Sequence, residues 1–263
     1  MTGALAALAL LSLVLALVLG YKQLRHRAVR KQRNLFGEWP IRRVPPEAVD
    51  PVLRPGPFGP TRDSEVAFIG RGPYVVDGGT SDAEAWILAV LAKRARTMFE
   101  FGTCTGKTAY LWARNSPPEA RVVTVTLAPD HLSEYRREAT DDPVDVQFAL
   151  KESSHTEFLY SDSPVASKVE QLFGDSKALD VSPWVGRCDL VFVDGSHAYS
   201  YVVSDSAKAL QLVAPGGLVL WHDYAGPRHA SGVYRALNEL AQRLPLVRLE
   251  GTTLVAYRHP ADG

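Results

Sequence analysis

Cysteine is scarce in this chain, because only Cys104 and Cys188 occur among its 263 residues. Two cysteines cannot form the framework of several bridges that stabilises small secreted domains, so that class of protein is excluded. The length instead allows one α/β domain with a large core plus an appendage. No histidine is paired with either cysteine in a recognisable motif, and we interpret both as packing residues rather than nucleophiles.

An excess of positive charge is also absent from most of the chain. The formal net charge is zero, but residues 22–43 hold eight basic side chains against the single acid Glu38, a net charge of +7. Residues 44–263 therefore carry a net charge of −7. Phosphate binding requires a basic face, so nucleic acid is not expected as a partner of the main domain.

The N-terminus lacks charge altogether. Residues 1–21 contain no charged side chain, and Ala4–Leu19 consists almost entirely of Ala, Leu and Val. About 20 helical residues at ~1.5 Å each span a hydrocarbon core of ~30 Å, which predicts a transmembrane anchor over residues 1–21. A cleaved signal peptide is the main alternative, but the basic residues that precede such a segment are missing. The basic cluster Lys22–Arg33 predicts a single-pass membrane protein whose main domain lies in the cytoplasm.

Proline is concentrated in one segment, since seven prolines fall within residues 40–60. This spacing interrupts helices and central strands. We therefore predict that residues 22–60 form a basic juxtamembrane segment and a semi-rigid linker. The main domain is predicted to cover residues 61–263.

Beyond residue 80, apolar strands alternate with helical segments. The apolar runs are too continuous for a one-sided sheet and predict parallel strands that are buried on both faces. Glu250-Gly251 predicts a tight hairpin near the C-terminus. The fold class is therefore α/β, a Rossmann-like, doubly wound, mostly parallel sheet with a C-terminal antiparallel hairpin. Ligands of such sheets bind beyond the carboxyl ends of the strands. Predicted strands cover residues 97–101, 121–126, 169–173, 188–193 and 217–221, and predicted helices include residues 81–93, 106–113 and 199–213.

A turn with two glycines follows the strand at 97–101, where the sequence reads Glu100-Phe-Gly102-Thr103-Cys-Thr-Gly106. The spacing differs from the G-x-G-x-x-G fingerprint of dinucleotide-binding folds, which disfavours an NAD-dependent oxidoreductase. The pattern E-x-G-x-x-x-G resembles motif I of class I S-adenosylmethionine (SAM) methyltransferases. In that family the acid lies near the methionine portion of SAM, whose ammonium group needs a counter-charge.

Further motifs follow in the order expected from this resemblance. Gly174-Asp175-Ser176 ends the strand at 169–173, and the strings VDGSHAYSY and PGGLVLWHDY accompany the next two strands. They resemble the methyltransferase family with V-D-G-x-H-x-Y and P-G-G…H-D-Y signatures, which includes sugar and antibiotic-tailoring O-methyltransferases. The resemblance covers about residues 77–257. It implies that SAM is bound by Glu100, Gly102, Thr103, Gly106, Thr126, Asp175, Ser176 and Asp194.

Thr126 departs from the family pattern. Relatives usually place there an acid that binds the ribose hydroxyls, and a threonine cannot bind two hydroxyls as a carboxylate does. Asp130 in the following loop is a candidate substitute. The departure keeps an alternative open, a non-catalytic SAM- or ligand-binding scaffold of methyltransferase fold.

Methyl transfer to a hydroxyl requires removal of the hydroxyl proton. We predict that His197 is the base, because it follows a strand at the ligand-binding edge and titrates near neutrality, with Asp194 as a second catalytic residue. Asp194 and Asp223 end neighbouring strands and form a possible Mg²⁺ site. Tyr224 stands where metal-dependent relatives commonly add a ligand, so the metal requirement stays open. The expected acceptor is a hydroxylated small molecule or, given the anchor, a lipid-linked sugar.

Overall fold

The computed structural model describes residues 2–30, 39–71 and 79–261, which fall into two compact units. The first unit contains one long helix, α1 (Thr2–Arg30), whose apolar side chains such as Leu10 and Leu17 are exposed. It continues without a break from the apolar run into the basic residues that follow. Over the described part of the chain, no helix combines the length and the apolar character needed to cross a membrane. The predicted transmembrane helix is therefore not supported.

The second unit begins at Pro40 and is built on one eight-stranded sheet. Its strands are β1 (Arg42–Val44), β2 (Thr97–Phe101), β3 (Arg121–Thr126), β4 (Val169–Phe173), β5 (Cys188–Val193), β6 (Val213–Trp221), β7 (Val247–Leu249) and β8 (Val255–Arg258). They lie in the order β1-β7-β8-β6-β5-β2-β3-β4. Only β8 is antiparallel to its neighbours β6 and β7. The predicted mostly parallel sheet with a C-terminal antiparallel hairpin is thus confirmed.

Within the described residues, the α-helices that accompany this sheet are α2 (Asp82–Ala92), α3 (Lys107–Asn115), α4 (Pro143–Glu152), α5 (Tyr199–Leu212) and α6 (Ser231–Leu240). The start of α2 is fixed by a capping box, in which Ser81 Oγ accepts from Glu84 N at 3.3 Å and Ser81 N donates to Glu84 Oε2 at 2.9 Å. Four predicted strands have the predicted bounds. The fifth, β6, is longer than residues 217–221 because it pairs with β5 on both sides of a register shift.

The proline-rich segment belongs to the sheet unit, whereas the sequence analysis placed it in a linker ahead of residue 61. Strand β1 pairs in parallel with β7, with Val44 opposite Leu249. Val44 and Leu53 are buried in the main hydrophobic core. The prolines do not prevent this packing, because Pro46 and Pro51 open short 3₁₀ helices, where a backbone N–H is not needed.

The core is made of aromatic and aliphatic side chains on both faces of the sheet. Phe99, Trp112, Phe192 and Trp221 are almost completely buried. Because β2, β3, β4, β5 and β6 run parallel, their carboxyl ends meet at one edge of the sheet. The loops at that edge carry the glycine turn after β2, Gly174-Asp175-Ser176 after β4 and the segments Asp194–His197 and His222–Tyr224, whereas Pro215-Gly216-Gly217 lies at the beginning of β6.

Candidate functional site

A cleft of about 550 Å³, open to solvent, lies beyond the carboxyl ends of β2, β3, β4 and β5. Its lining contains acidic but no basic side chains: among the described residues that line the cleft, four are acidic and none is basic. The acids are Glu152, Asp175, Asp194 and Asp205. Burial raises the pKa of Asp205 to about 7, against a hydrogen bond from Ser176 that lowers it. The cleft therefore suits a ligand that carries positive charge.

Gly102 is required by the protein's own backbone. Its φ is +98°, and a Cβ placed on it would lie 2.0 Å from the carbonyl oxygen of Asp194. The two strand ends approach this closely because Asp194 N donates to Phe101 O at 2.8 Å. Gly106 is similarly confined, since an added Cβ would lie 2.8 Å from the ring of Tyr160. Gly102 lines the cleft, whereas Gly106 does not.

Two residues of the predicted cofactor set lie beneath the cleft instead of lining it. Glu100 is 1% exposed, and its carboxylate accepts a hydrogen bond from Thr124 Oγ1 at 2.7 Å. Thr124 Oγ1 also lies 2.8 Å from Thr103 Oγ1, so Thr103 is turned toward the same buried cluster. Burial raises the pKa of Glu100 to about 8, with a further contribution from the charge of Asp194. At neutral pH Glu100 is mainly a neutral acid and supplies little charge to a ligand.

The other end of the cleft is formed by the residues that follow β3 and β4. Thr126, Asp175 and Ser176, which belong to the predicted SAM-binding set, line it. Asp130, the suggested substitute for the ribose-binding acid, is not among the lining residues, and its side chain is 81% exposed beside His131. The role expected of an acid at position 126 is therefore not taken over by Asp130.

Several cleft residues had no motif to mark them. Tyr135 stacks on Tyr201 with 4.4 Å between ring centroids, and the Tyr135 hydroxyl lies 2.8 Å from Ser196 Oγ. Glu152 is the last residue of α4, a segment that contains none of the sequence motifs. The one available signal was the amphipathic spacing that places Ala149 and Glu152 on the same face of α4.

A buried network of histidines and carboxylates adjoins the cleft at the ends of β5 and β6. His197 Nε2 donates to Asp223 Oδ2 at 2.8 Å. His222 Nδ1 lies 2.9 Å from Asp194 Oδ1 and 3.0 Å from Asp223 Oδ2. His222 Nε2 lies 3.2 Å from Glu84 Oε2, and Glu84 is only 3% exposed. The structure thus brings together His197, Asp194 and Asp223, as predicted, and adds His222 and Glu84.

The contacts within this network determine which of its side chains are charged. Burial by itself lowers the pKa of His222, but the charges of Asp194 and Asp223 outweigh burial and raise it well above its ordinary value. Burial by itself raises the pKa of Glu84, but hydrogen bonding to His222 and the other partners of Glu84 lowers it well below its ordinary value. His222 is therefore an imidazolium ion between three carboxylates.

The surroundings of His197 also favour its protonated form. Burial lowers its pKa, but the hydrogen bond and the charge of Asp223 outweigh burial and raise the pKa from 6.5 to about 9. This differs from the titration near neutrality expected from the sequence. Because the folded pKa is raised, the pair contributes its full stabilisation below the unfolded pKa of 6.5 and loses it as the pH rises through about 9.

The predicted metal site at Asp194 and Asp223 includes His222 in the structure. Asp194, His222 and Asp223 each bring one ligand atom to within 4.8 Å of the others. These atoms already share the Nδ1 proton of His222, however, and Mg²⁺ prefers oxygen ligands over imidazole. The Tyr224 hydroxyl points elsewhere and donates to Asn238. The imidazole makes this donor set less suited to Mg²⁺ than a set of oxygen ligands, and the Mg²⁺ site at Asp194 and Asp223 stays a prediction.

Comparison with known proteins supports the resemblance seen in the sequence. Residues 99–224 match the family described as a methyltransferase domain. This segment contains most of β2, all of β3 to β6, the residues that line the cleft, and the histidine network except for Glu84. A search among curated proteins found no match to the chain.

Solved structures with a similar fold include three methyltransferases. The SAH-bound methyltransferase PaMTH1 from Podospora anserina is 17% identical, with 71% of this chain and 81% of that chain covered, at a TM-score of 0.50. The O-methyltransferase TomG from Streptomyces achromogenes, in complex with SAM, is 24% identical over 70% and 83% of the two chains, at 0.48. An O-methyltransferase from Bacillus cereus, in complex with SAH, is 18% identical over 70% and 84%, at 0.48.

Proposed function

We propose that the chain is a class I SAM-dependent methyltransferase that methylates a hydroxyl group of a small-molecule acceptor, because residues 99–224 match a methyltransferase domain. The observation that carries this proposal is the lining of the cleft, in which four side chains are acidic and none is basic among the described residues. SAM carries an ammonium group and a sulfonium group, both positive. The pyrophosphate of a dinucleotide would instead be repelled.

Within this proposal the two ends of the cleft have separate tasks. Thr126, Asp175 and Ser176 would hold the adenosine portion of the cofactor, and Gly102 and Asp194 would adjoin its methionine portion. When bound, SAM supplies a methyl group on a positively charged sulfur. The acceptor side is formed by the neighbouring histidine network.

We propose that His197 removes the acceptor proton. Asp223 holds Nε2 of His197, which leaves Nδ1 as the nitrogen that can take a proton, and Nδ1 has no hydrogen-bond partner among the described residues. Nδ1 is buried, and the ring of Phe148 from α4 lies 6.2 Å from the His197 ring. Because Nδ1 is buried, the side chains around it must move before an acceptor can reach it.

Calorimetric titration of the full chain in a mild detergent tests the cofactor assignment. We expect SAM and SAH to bind at least about tenfold more tightly than NAD⁺, because the carboxylates disfavour phosphate. Preference for NAD⁺ would overturn the proposal. Binding of SAM without methyl transfer to any of a panel of phenols, sugars and other hydroxylated compounds would favour the non-catalytic scaffold instead.

We further propose that α1 holds the enzyme at a membrane, with the sheet unit on the cytoplasmic side and a lipid-linked sugar as one possible class of acceptor. Its support is the charge-free sequence of residues 1–21, the exposed leucines of α1 and the basic residues that follow, which attract anionic headgroups. Deletion of residues 1–21 is expected to move the protein from the membrane pellet to the soluble fraction while the domain stays folded. A deleted protein that still sediments with membranes after a high-salt wash would count against this role of α1.

A further inference from the structure

Glu152 is an unpaired carboxylate at the methionine end of the cleft. It is the last residue of α4 and lines the cleft together with Gly102, Cys104 and Asp194. Its side chain is partly buried, and none of the hydrogen bonds found among the described residues involves its carboxylate. The ionisable groups that interact electrostatically with its carboxyl lie at the same end of the cleft. They are Cys104 after β2, Asp194 and His197 after β5, and His222 and Asp223 after β6.

The acid of motif I cannot serve as counter-charge for the cofactor ammonium. Glu100 is sealed below the cleft, where Thr124 donates to it, and it is mainly neutral at neutral pH. The counter-charge expected at Glu100 from the family resemblance must therefore come from another residue.

The remaining three acids of the cleft are also unsuited to this task. Asp194 is already compensated by the imidazolium of His222 at 2.9 Å. Asp175 lies at the other end of the cleft, where it accepts a hydrogen bond from Lys177 N at 2.9 Å and faces Arg136. Asp205 is 2% exposed and adjoins Asp175, Lys177 and Lys208. Among the described residues that line the cleft, Glu152 alone combines a position at the methionine end with a carboxylate that takes part in no hydrogen bond or ion pair.

We propose that Glu152 binds the α-ammonium group of the cofactor, in place of the motif I acid. This assignment rests on the proposed use of SAM and adds a binding residue that lies outside the family motifs. Burial raises the pKa of the free Glu152 carboxyl to about 7, with Asp194 and Asp223 adding to this effect and His197 opposing it. A cationic ligand favours the ionised form, so binding near neutral pH releases part of a proton from Glu152.

The test compares three ligands by calorimetry on the full chain and its Glu152→Gln variant. SAM and SAH carry the ammonium group, whereas 5′-methylthioadenosine keeps the adenosine and the thioether but lacks the amino acid portion. We expect Glu152→Gln to weaken SAM and SAH about 10- to 100-fold, as for loss of a hydrogen bond between charged groups. The affinity for 5′-methylthioadenosine is expected to change less than about twofold, because its contacts do not reach Glu152.

Proton release gives a second, independent measurement. Titrating SAH near pH 7 in two buffers of different ionisation enthalpy is expected to show fewer protons released from Glu152→Gln than from the parent. Glu157→Gln, an exposed acid a few residues further along, is the matched control and is expected to behave like the parent. Equal weakening of all three ligands, or undiminished SAH binding, would overturn the assignment. If the parent itself bound neither SAM nor SAH, the proposed function would fail instead.

Discussion

A valine in place of Gly102 is expected to destabilise the sheet unit by about 3–5 kcal/mol, as the sum of severe overpacking and a strained positive φ. The added Cβ would lie 2.0 Å from the carbonyl oxygen of Asp194 and 2.7 Å from Cα of Gly195. Neither backbone atom can move without separating the ends of β2 and β5. Thermal unfolding followed by circular dichroism measures the loss directly. SAM binding then disappears because the site is dismantled, and not because a side chain fills an intact cleft.

Gly195 supplies the matched control in the same cleft. A Cβ on Gly195 would meet its nearest atoms, Asp205 Oδ2 and Phe101 O, at an ordinary 3.6 Å. Gly195→Ala is therefore expected to remain within about 1 kcal/mol of the parent. A Gly102→Val protein as stable as Gly195→Ala would contradict the close backbone approach described here.

Replacement of His197 by alanine is expected to lower kcat by about 10²–10⁴-fold while the affinity for SAM persists, because only the proton acceptor is removed. The experiment uses whichever hydroxylated acceptor the screening panel provides. His229→Ala, an exposed histidine, is the matched control and is expected to leave kcat unchanged. Because no metal assists the deprotonation in this scheme, EDTA is expected to have no effect on the parent.

The pH dependence distinguishes a base from a merely structural histidine. The neutral form of His197 is the one that accepts a proton, so kcat of the parent is expected to rise with pH and level off above about 9. Asp223→Asn removes the charge that raises this pKa, and the rise is then expected at a lower pH. A His197→Ala enzyme of unchanged kcat would eliminate the base, and inactivation by EDTA with recovery on addition of Mg²⁺ would show that the histidine network does accept a metal.

The sequence predicts those strands of the sheet whose own residues show a strand pattern. Largely apolar runs bounded by turn residues define β2, β3 and β5 to the residue, and β4 has its predicted bounds although Glu170 and Gln171 interrupt its apolar residues. Strand β1 has no such signal, because it is three residues long, lies among prolines, and exists only through its pairing with β7 near the other end of the chain. The proline spacing indicates that this segment is locally stiff. It does not indicate that β1 pairs with the distant strand β7.

The sequence predicts the candidate site through one rule, which is that the carboxyl ends of parallel strands meet at one edge of the sheet. This rule brings Asp194, His197 and Asp223 together without knowledge of any side-chain direction. It cannot show that Glu100 points below the cleft, since strands buried on both faces lack the alternation that would reveal its side. It also cannot show that Glu84, 138 positions before His222, changes the charge of the network.

The short strand β1 has a consequence for self-association of the domain. An outer strand with unpaired backbone groups invites a second molecule to add to the sheet, and proteins prevent this with short, charged strands interrupted by proline. Strand β1 has these properties, since Arg42 and Arg43 are exposed and Pro45 follows directly after Val44. A recombinant fragment starting at residue 61 would lack this protection. Such a fragment would expose the backbone N–H and C=O groups of β7 and favour aggregation through this edge of the sheet. A fragment starting at Pro40 would keep the edge covered.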